Sequence, residues 1–154
     1  MKNRRFNIFL GAFVAVLAMA LFGSCRKAPI NGKLDGQWQI MSVEWLADGS
    51  DISPELRSYI DINLHVIQLR NVSLSETQGS LISGNLAYDK NNSTMTVDFP
   101  YNTDGGKLMQ LQPWGIYSNP ETFEIVKLDG KQLVLKSSQT LITCRRFYGV
   151  GISD

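Results

Sequence analysis

Histidine and cysteine are scarce in this chain of 154 residues, which has one histidine, His65, and two cysteines. Zinc sites need three or four protein ligands, drawn mostly from these two residue types. A serine or cysteine nucleophile would have to use His65 as its base. His65 lies in the strand-like stretch 62–66, where a structural or solvated role is expected. The sequence therefore predicts no metal site, no cofactor and no catalytic residue.

The chain also lacks a large excess of positive or negative charge. The chain has 15 basic and 14 acidic residues, and beyond residue 24 adjacent basic pairs occur only at Arg26-Lys27 and Arg145-Arg146. Nucleic-acid binding needs a basic patch that neutralises several phosphates, so no nucleic-acid partner is expected. Five carboxylates could pair in space as glycosidases require, but the pattern favours solvated surface acids and a protein that is not an enzyme; they are Glu44, Asp98, Asp104, Glu121 and Glu124.

One long apolar run is present, at residues 6–22, and basic residues precede it. A basic start, an apolar stretch and small residues at a cleavage point are typical of a secretory signal. The run also approaches the ~20 residues that span a bilayer, so an uncleaved membrane anchor is an alternative. An ordinary cleaved signal with a chance cysteine at position 25 is the other.

The run ends in Leu21-Phe22-Gly23-Ser24-Cys25, which resembles a bacterial lipobox. That resemblance implies cleavage before Cys25 and diacylation of its thiol, with residues 1–24 as signal peptide and residues 25–33 as lipidated cysteine and tether. Two acyl chains anchor a protein firmly where one does not. Arg26 stands where an aspartate would favour inner-membrane retention, so we expect an outer-membrane lipoprotein of the bacterial envelope, with the membrane face left open.

The second cysteine, Cys144, lies in an apolar strand pattern. Acylation of Cys25 would leave Cys144 without a disulfide partner. We expect a buried, inert thiol.

Residues 34–154 are expected to form one β domain. Apolar residues alternate with polar ones over short segments, and turn signals such as Asp129-Gly130 separate them. The predicted strands lie near 36–46, 62–70, 79–88, 94–99, 122–128, 132–136 and 141–148, with one more near 107–112. Apolar positions change phase between Ile40 and Met41, which predicts a bulge. Ser53-Pro54-Glu55 predicts a short helix after the first strand. The fold class is an antiparallel meander of about eight strands that closes into a barrel, with a sandwich as the alternative.

Gly36 and Trp38 open the first strand, and Arg145 lies in the last one. This pattern resembles the lipocalins, and with the lipobox it resembles the lipocalin-like lipoproteins of Bacteroidetes. The resemblance implies that Trp38 lies at the closed end of the barrel and that a late arginine packs across its ring. Arg145 is the expected partner because it shares parity with Leu141 and Phe147, and Arg146 is the alternative.

Two functions fit this domain. The first is binding of a small apolar or amphipathic ligand in the mouth of the barrel. The aromatic residues near predicted loops are the candidate ligand contacts: Trp45, Tyr59, Tyr101, Trp114 and Tyr117. The second is a non-catalytic module that binds a protein partner in a cell-envelope complex. A filled core with an exposed apolar patch would favour the second.

Overall fold

A computed structural model describes residues 29–72, 81–101 and 108–148. Eight antiparallel strands follow one another around a closed barrel, and β1 pairs with both β2 and β8. The strands are β1 Gly36–Trp45, β2 Arg57–Asn63, β3 Val66–Val72, β4 Leu81–Asp89, β5 Thr94–Asp98, β6 Glu121–Leu128, β7 Gln132–Lys136 and β8 Thr140–Arg146. Two 3-10 helices accompany them, η1 Gly32–Leu34 and η2 Met109–Trp114. The predicted meander and barrel are confirmed, and the barrel closes entirely within these residues.

Side chains that alternate along each strand fill the interior. In β1 the buried positions are Trp38, Ile40 and Val43, and the register against β8 shifts between Ile40 and Ser42. This is the predicted bulge, and it leaves Met41 half exposed on the outside. The core holds four large aromatic side chains that are at most 1% exposed: Trp38, Phe99, Trp114 and Phe123.

The two ends of the barrel are built differently. The closed end carries η1 and the short connections 64–65, 90–93 and 129–131. The mouth carries the connections 46–56 and 137–139 and the described parts of the connection between β5 and β6, residues 99–101 and 108–120. Since the barrel is an up-and-down meander, each connection lies at the end where its two strands meet.

The predicted helix at Ser53-Pro54-Glu55 is wrong. The Ser53 hydroxyl instead accepts a hydrogen bond from the backbone N–H of Val43 at 2.8 Å. Its own N–H donates to Asp51 Oδ1 at 2.9 Å, and Asp51 forms an isolated bridge with Glu44. A helix of one or two turns is marginal in water, so these contacts within the connection and with β1 decide the local structure.

The predicted strand at 62–70 is two strands. A turn at Leu64 and His65 separates β2 from β3, and Leu64 has φ of 57°. A bulky residue in the left-handed region is unusual. Neither turn residue is the Gly or Asn that marks such turns, so the sequence did not predict a turn here. The strand expected near 107–112 is also wrong, because η2 occupies 109–114.

The signal segment, Cys25 and the start of the tether lie outside the described residues. Within the described ranges, no helix has the length and hydropathy to span a membrane.

Candidate functional site at the mouth of the barrel

One segment, residues 109–116, folds into the mouth and is called here the mouth segment. Its side chains Leu111, Trp114 and Ile116 are at most 2% exposed and join the core. The indole N–H of Trp114 donates to the backbone oxygen of Tyr59 at 3.2 Å. This hydrogen bond ties the mouth segment to β2.

Gly115 lets the mouth segment turn inside the barrel. Its φ is 73°, and a Cβ placed on it would lie 2.9 Å from Val43 Cγ1. Its carbonyl accepts a hydrogen bond of 2.8 Å from the buried hydroxyl of Thr140. A residue larger than glycine would meet both backbone strain and a clash, so the segment fits only with glycine here.

The long connection that carries this segment is fixed at its base. The side chain of Asn119 binds both backbone groups of Phe99, with its oxygen accepting from the N–H at 2.8 Å and its amide donating to the carbonyl at 2.7 Å. The carboxylate of buried Glu121 accepts from the N–H and the hydroxyl of Ser118, at 3.0 and 2.8 Å. These contacts hold the end of the loop that precedes β6 against β5 and β6.

Two clefts flank the mouth segment. The first has a volume of about 380 Å³ and lies against the connection from β1 to β2, with Ile52, Pro54, Glu55, Leu56, Asn71, Met109, Gln112, Pro113 and Tyr117 as its lining. The second has a volume of about 450 Å³, with Asn71, Leu81, Ile82, Gln110, Pro113 and Trp114 as its lining. Asn71 and Pro113 border both clefts, so the two are neighbours across the mouth.

Five of the nine residues that line the first cleft are apolar: Ile52, Pro54, Leu56, Met109 and Pro113. Leu56 and Met109 are 45% and 64% exposed, which is high for such side chains. Four lining residues carry polar groups, and one of them, Asn71, already accepts a hydrogen bond from Ser58 at 2.7 Å. An apolar wall with few polar groups is the usual lining of a site for a small apolar or amphipathic molecule.

At the opposite end, Trp38 is fully buried and its indole N–H donates to the carbonyl of Leu34 at 2.9 Å. The guanidinium carbon of Arg146 lies 4.7 Å from the centre of the Trp38 ring. The same guanidinium donates to the carbonyls of Lys33 and Asp35, at 3.0 and 2.7 Å. A cation–π contact and two charge-assisted hydrogen bonds thus join the last strand to the segment before the first one.

Comparisons with known proteins agree with this geometry. Residues 19–147 match the model of the lipocalin-like domain family. The chain belongs to that family. The comparison with curated proteins finds no match.

Two solved structures share the fold of this lipocalin-like domain. A lipocalin-like protein from Bacteroides uniformis is 18% identical, with a TM-score of 0.61, over 75% of this chain and all of the other. An uncharacterized protein from Bacteroides eggerthii is 13% identical, with a TM-score of 0.58, over 73% of this chain and 98% of the other.

The predicted contact of Arg145 with the Trp38 ring is wrong. Arg146 makes the contact, whereas Arg145 points outward and donates to Gln39 Oε1 at 3.0 and 2.8 Å. The inward residues of β8 are Ile142 and Cys144, and Arg146 shares their parity. Gly36 has φ of 136°, and a Cβ on it would clash with the Arg146 guanidinium.

The five aromatic residues expected at the ligand site divide into two groups. Trp45 and Tyr117 meet edge to face, with ring centres 4.7 Å apart, and Trp114 is buried in the core. Burial raises the pKa of the Tyr117 phenol above its usual value. Tyr59 faces outward from β2, where Arg70 covers its ring, and Tyr101 is 82% exposed and outside both mouth clefts.

Several cleft residues went unpredicted, including Ile52, Leu56, Asn71 and Met109. They come from the connection 46–56, the end of β3 and the mouth segment, which are far apart in sequence, and none belongs to a recognisable motif. Pro113 next to Trp114 was the one local sign that this loop has a fixed shape.

Cys144 and His65 lie away from the mouth clefts. Cys144 is fully buried in the core, and desolvation raises the pKa of its thiol to about 12. His65 is exposed in the turn between β2 and β3. Among the described residues, no three His, Cys, Asp or Glu side chains gather as metal ligands would.

Proposed function

We propose that this protein is a lipid-anchored envelope protein whose lipocalin-like barrel binds a small apolar or amphipathic ligand at its mouth, without catalysis. The observation that carries the proposal is the apolar cleft between the connection 46–56 and the mouth segment. Its exposed Leu56 and Met109 lose contact with water when a ligand covers them. Removal of apolar surface from water contributes roughly 25 cal/mol per Å².

The ligand is expected to lie at the mouth and not deep in the barrel. Trp38, Phe99, Trp114 and Phe123 occupy the interior, and the mouth segment covers it. An elongated ligand would therefore need the mouth segment to move out, whereas a compact or partly exposed ligand would not. Glu55 and Gln112 give the cleft edge one charged and one amide group for a polar head.

Anchoring is the second part of the proposal. It rests on the lipobox-like stretch that ends at Cys25. With two acyl chains, the protein would stay bound to the outer membrane of a bacterial envelope.

Binding is tested with N-phenyl-1-naphthylamine, a compact uncharged probe whose emission rises in apolar surroundings. The protein is prepared from residue 26 onward, which retains every element of the closed barrel. Met109→Lys should weaken probe binding about tenfold or more, because it places a charge on the cleft wall. Met41→Lys is the matched control, since Met41 is 49% exposed on the outside of β1.

Equal loss with both variants, or no binding by the unmodified protein, would refute the ligand site. Native mass spectrometry of the same protein, purified gently from a periplasm, adds an independent readout. A bound mass that disappears on denaturation would identify the class of ligand.

A second candidate is a module that binds a protein partner in an envelope complex. The filled interior and the exposed apolar side chains Leu56, Leu81 and Met109 around the mouth favour it. A ligand-free mass together with a stable complex that Met109→Lys disrupts would select this alternative.

A further inference from the structure

We infer that the closed end of the barrel docks on the surface of the anchoring membrane, so that the mouth and its cleft face away from that membrane. The inference rests on the lipid anchor of the proposed function. It adds the orientation of the domain and the surface that meets the lipid.

The point where the tether enters the fold gives the first argument. Asn31 joins the barrel at the closed end, where its side-chain amide donates to the carbonyl of Leu64 and to Asp35 Oδ1. Five residues lie between Cys25 and Asn31, and the six Cα-to-Cα steps reach at most about 22 Å when fully extended. An acylated Cys25 would therefore hold the closed end close to the bilayer.

The length of the barrel gives the second argument. The ten residues of β1 run from the closed end to the mouth. At about 3.3 Å per residue and a strand tilt near 40°, they carry the chain roughly 25 Å along the barrel axis. The tether alone therefore favours a mouth that is well separated from the lipid headgroups.

Exposed apolar residues at the closed end give the third argument. Ile30, Leu64 and Val66 are 65%, 37% and 44% exposed. They form one closed-end patch, because Asn31 binds the Leu64 carbonyl and Val66 follows two residues after Leu64. Leu64 occupies a left-handed turn position, which favours Gly or Asn. Apolar side chains at such a tip can enter the headgroup region of a membrane.

Charge gives the fourth argument, because the two ends differ in sign. The closed-end segments 29–35, 63–66, 89–93, 127–132 and 145–148 contain three acidic residues and six basic ones, namely Lys33, Lys90, Lys127, Lys131, Arg145 and Arg146. The described mouth segments 44–57, 98–101, 108–121 and 136–140 contain two basic residues and six acidic ones, namely Glu44, Asp48, Asp51, Glu55, Asp98 and Glu121.

An anionic lipid surface attracts the basic end and repels the acidic end. Arg26 and Lys27 in the tether add to the basic side. The tether, the closed-end patch and the charge distribution therefore all favour the same orientation. In that orientation the cleft exchanges its ligand with the aqueous compartment or with a carrier, and not directly with the anchoring leaflet.

The test uses the full chain, expressed with its own signal and reconstituted into vesicles that contain phosphatidylglycerol and a rhodamine headgroup lipid. A fluorescent donor is attached to Asn91→Cys at the closed end or to Ala47→Cys at the mouth, both of which are exposed sites. The native Cys144 is fully buried and does not take the label. Energy transfer to the lipid should be several-fold stronger from position 91 than from position 47.

A charge-reversal pair isolates the electrostatic contribution. Lys33→Glu with Lys131→Glu should weaken transfer from position 91 in vesicles that contain phosphatidylglycerol, and less so in phosphatidylcholine vesicles. Arg57→Glu with Lys136→Glu changes the charge by the same amount at the mouth and should leave that transfer unchanged.

Equal transfer from both positions, or stronger transfer from position 47, would overturn the orientation while the anchor stands. That result would also leave the closed-end patch as a surface for a protein partner. A chain that does not float with the vesicles would refute the anchor itself and this inference with it. Probe binding at the mouth is measured separately, so a failure there is distinguishable from both.

Discussion

Arg146→Gln should destabilise this domain strongly, and Arg145→Gln should not. Arg146 lies over the fully buried ring of Trp38 and donates to the carbonyls of Lys33 and Asp35. Hydrogen bonds from charged donors contribute roughly 1.5–3 kcal/mol each, and a cation–π contact contributes about 1 kcal/mol. Partial exposure of Arg146 reduces these values, so we expect a loss of about 3 kcal/mol.

The neighbouring residue provides the control. Arg145 has the same chemistry, but its hydrogen bonds go to the side chain of Gln39 on the exposed outer face. Its replacement should change the free energy of unfolding by no more than about 0.5 kcal/mol.

Urea unfolding, followed by tryptophan fluorescence, measures both variants. A loss of about 3 kcal/mol also corresponds to a melting temperature lower by roughly 10 °C. Equal effects of the two substitutions would contradict the assignment of Arg146 as the residue that packs on Trp38 and joins β8 to the segment before β1. A loss below about 0.5 kcal/mol for Arg146→Gln would show that the closed end does not depend on it.

Three more changes test other parts of the structure. Gly36→Ala should destabilise the barrel by at least ~1 kcal/mol, because φ of 136° and the Arg146 guanidinium both oppose a Cβ; an unchanged urea midpoint would contradict this. Thr140→Val should cost about 1–3 kcal/mol, because it leaves the buried carbonyl of Gly115 without its hydrogen bond, whereas Thr96→Val on the exposed face should be nearly neutral. Burial raises the pKa of the Cys144 thiol to about 12, so its contribution to stability is complete below the unfolded-state pKa near 8.5 and is lost as pH rises toward 12. Unfolding free energies between pH 8 and pH 11 should therefore fall more steeply for the native protein than for Cys144→Ala, and identical slopes would show that the thiol is not buried in solution.

Local patterns predicted most of the barrel because strand signals are short-range. Alternation identified β5 directly, and Asp129-Gly130 marked the turn before β7. The phase change at Ile40 and Met41 marked the bulge in β1. Each of these features depends on neighbouring residues, and the family resemblance added the closure of the sheet.

The errors arose where local signals were weak or ambiguous. In β8, Leu141 and Ile142 are both apolar, so parity alone does not show which of them faces inward. The structure places Ile142 inside, which selects Arg146. In the β2–β3 hairpin the turn residues Leu64 and His65 look like strand residues. The Ser53-Pro54 pair has helix-start chemistry, but contacts with β1 use the serine hydroxyl instead.

The candidate site could be predicted less well because it is assembled by distant segments. Its lining joins the connection 46–56, the end of β3 and the mouth segment. No sequence pattern within one of these segments predicts that the other two lie next to it. Trp45, Trp114 and Tyr117 were predicted as aromatic residues near loops; Trp45 and Tyr117 do meet at the mouth, and Trp114 is buried in the mouth segment. Tyr59 is also an aromatic residue near a predicted loop, but its side chain faces the outside of β2.

The two ends of the barrel differ in how much their side chains contribute to stability. The closed end depends on contacts between Leu34, Trp38 and Arg146, which fix the first and last strands to each other. The cleft at the mouth depends on exposed side chains such as Leu56 and Met109, which contribute little to the core. Under the proposed function, substitutions at the mouth should therefore change ligand binding while the barrel stays folded. Substitution of Trp38 or Arg146 should instead lower the stability of the barrel and leave the cleft at the mouth unchanged.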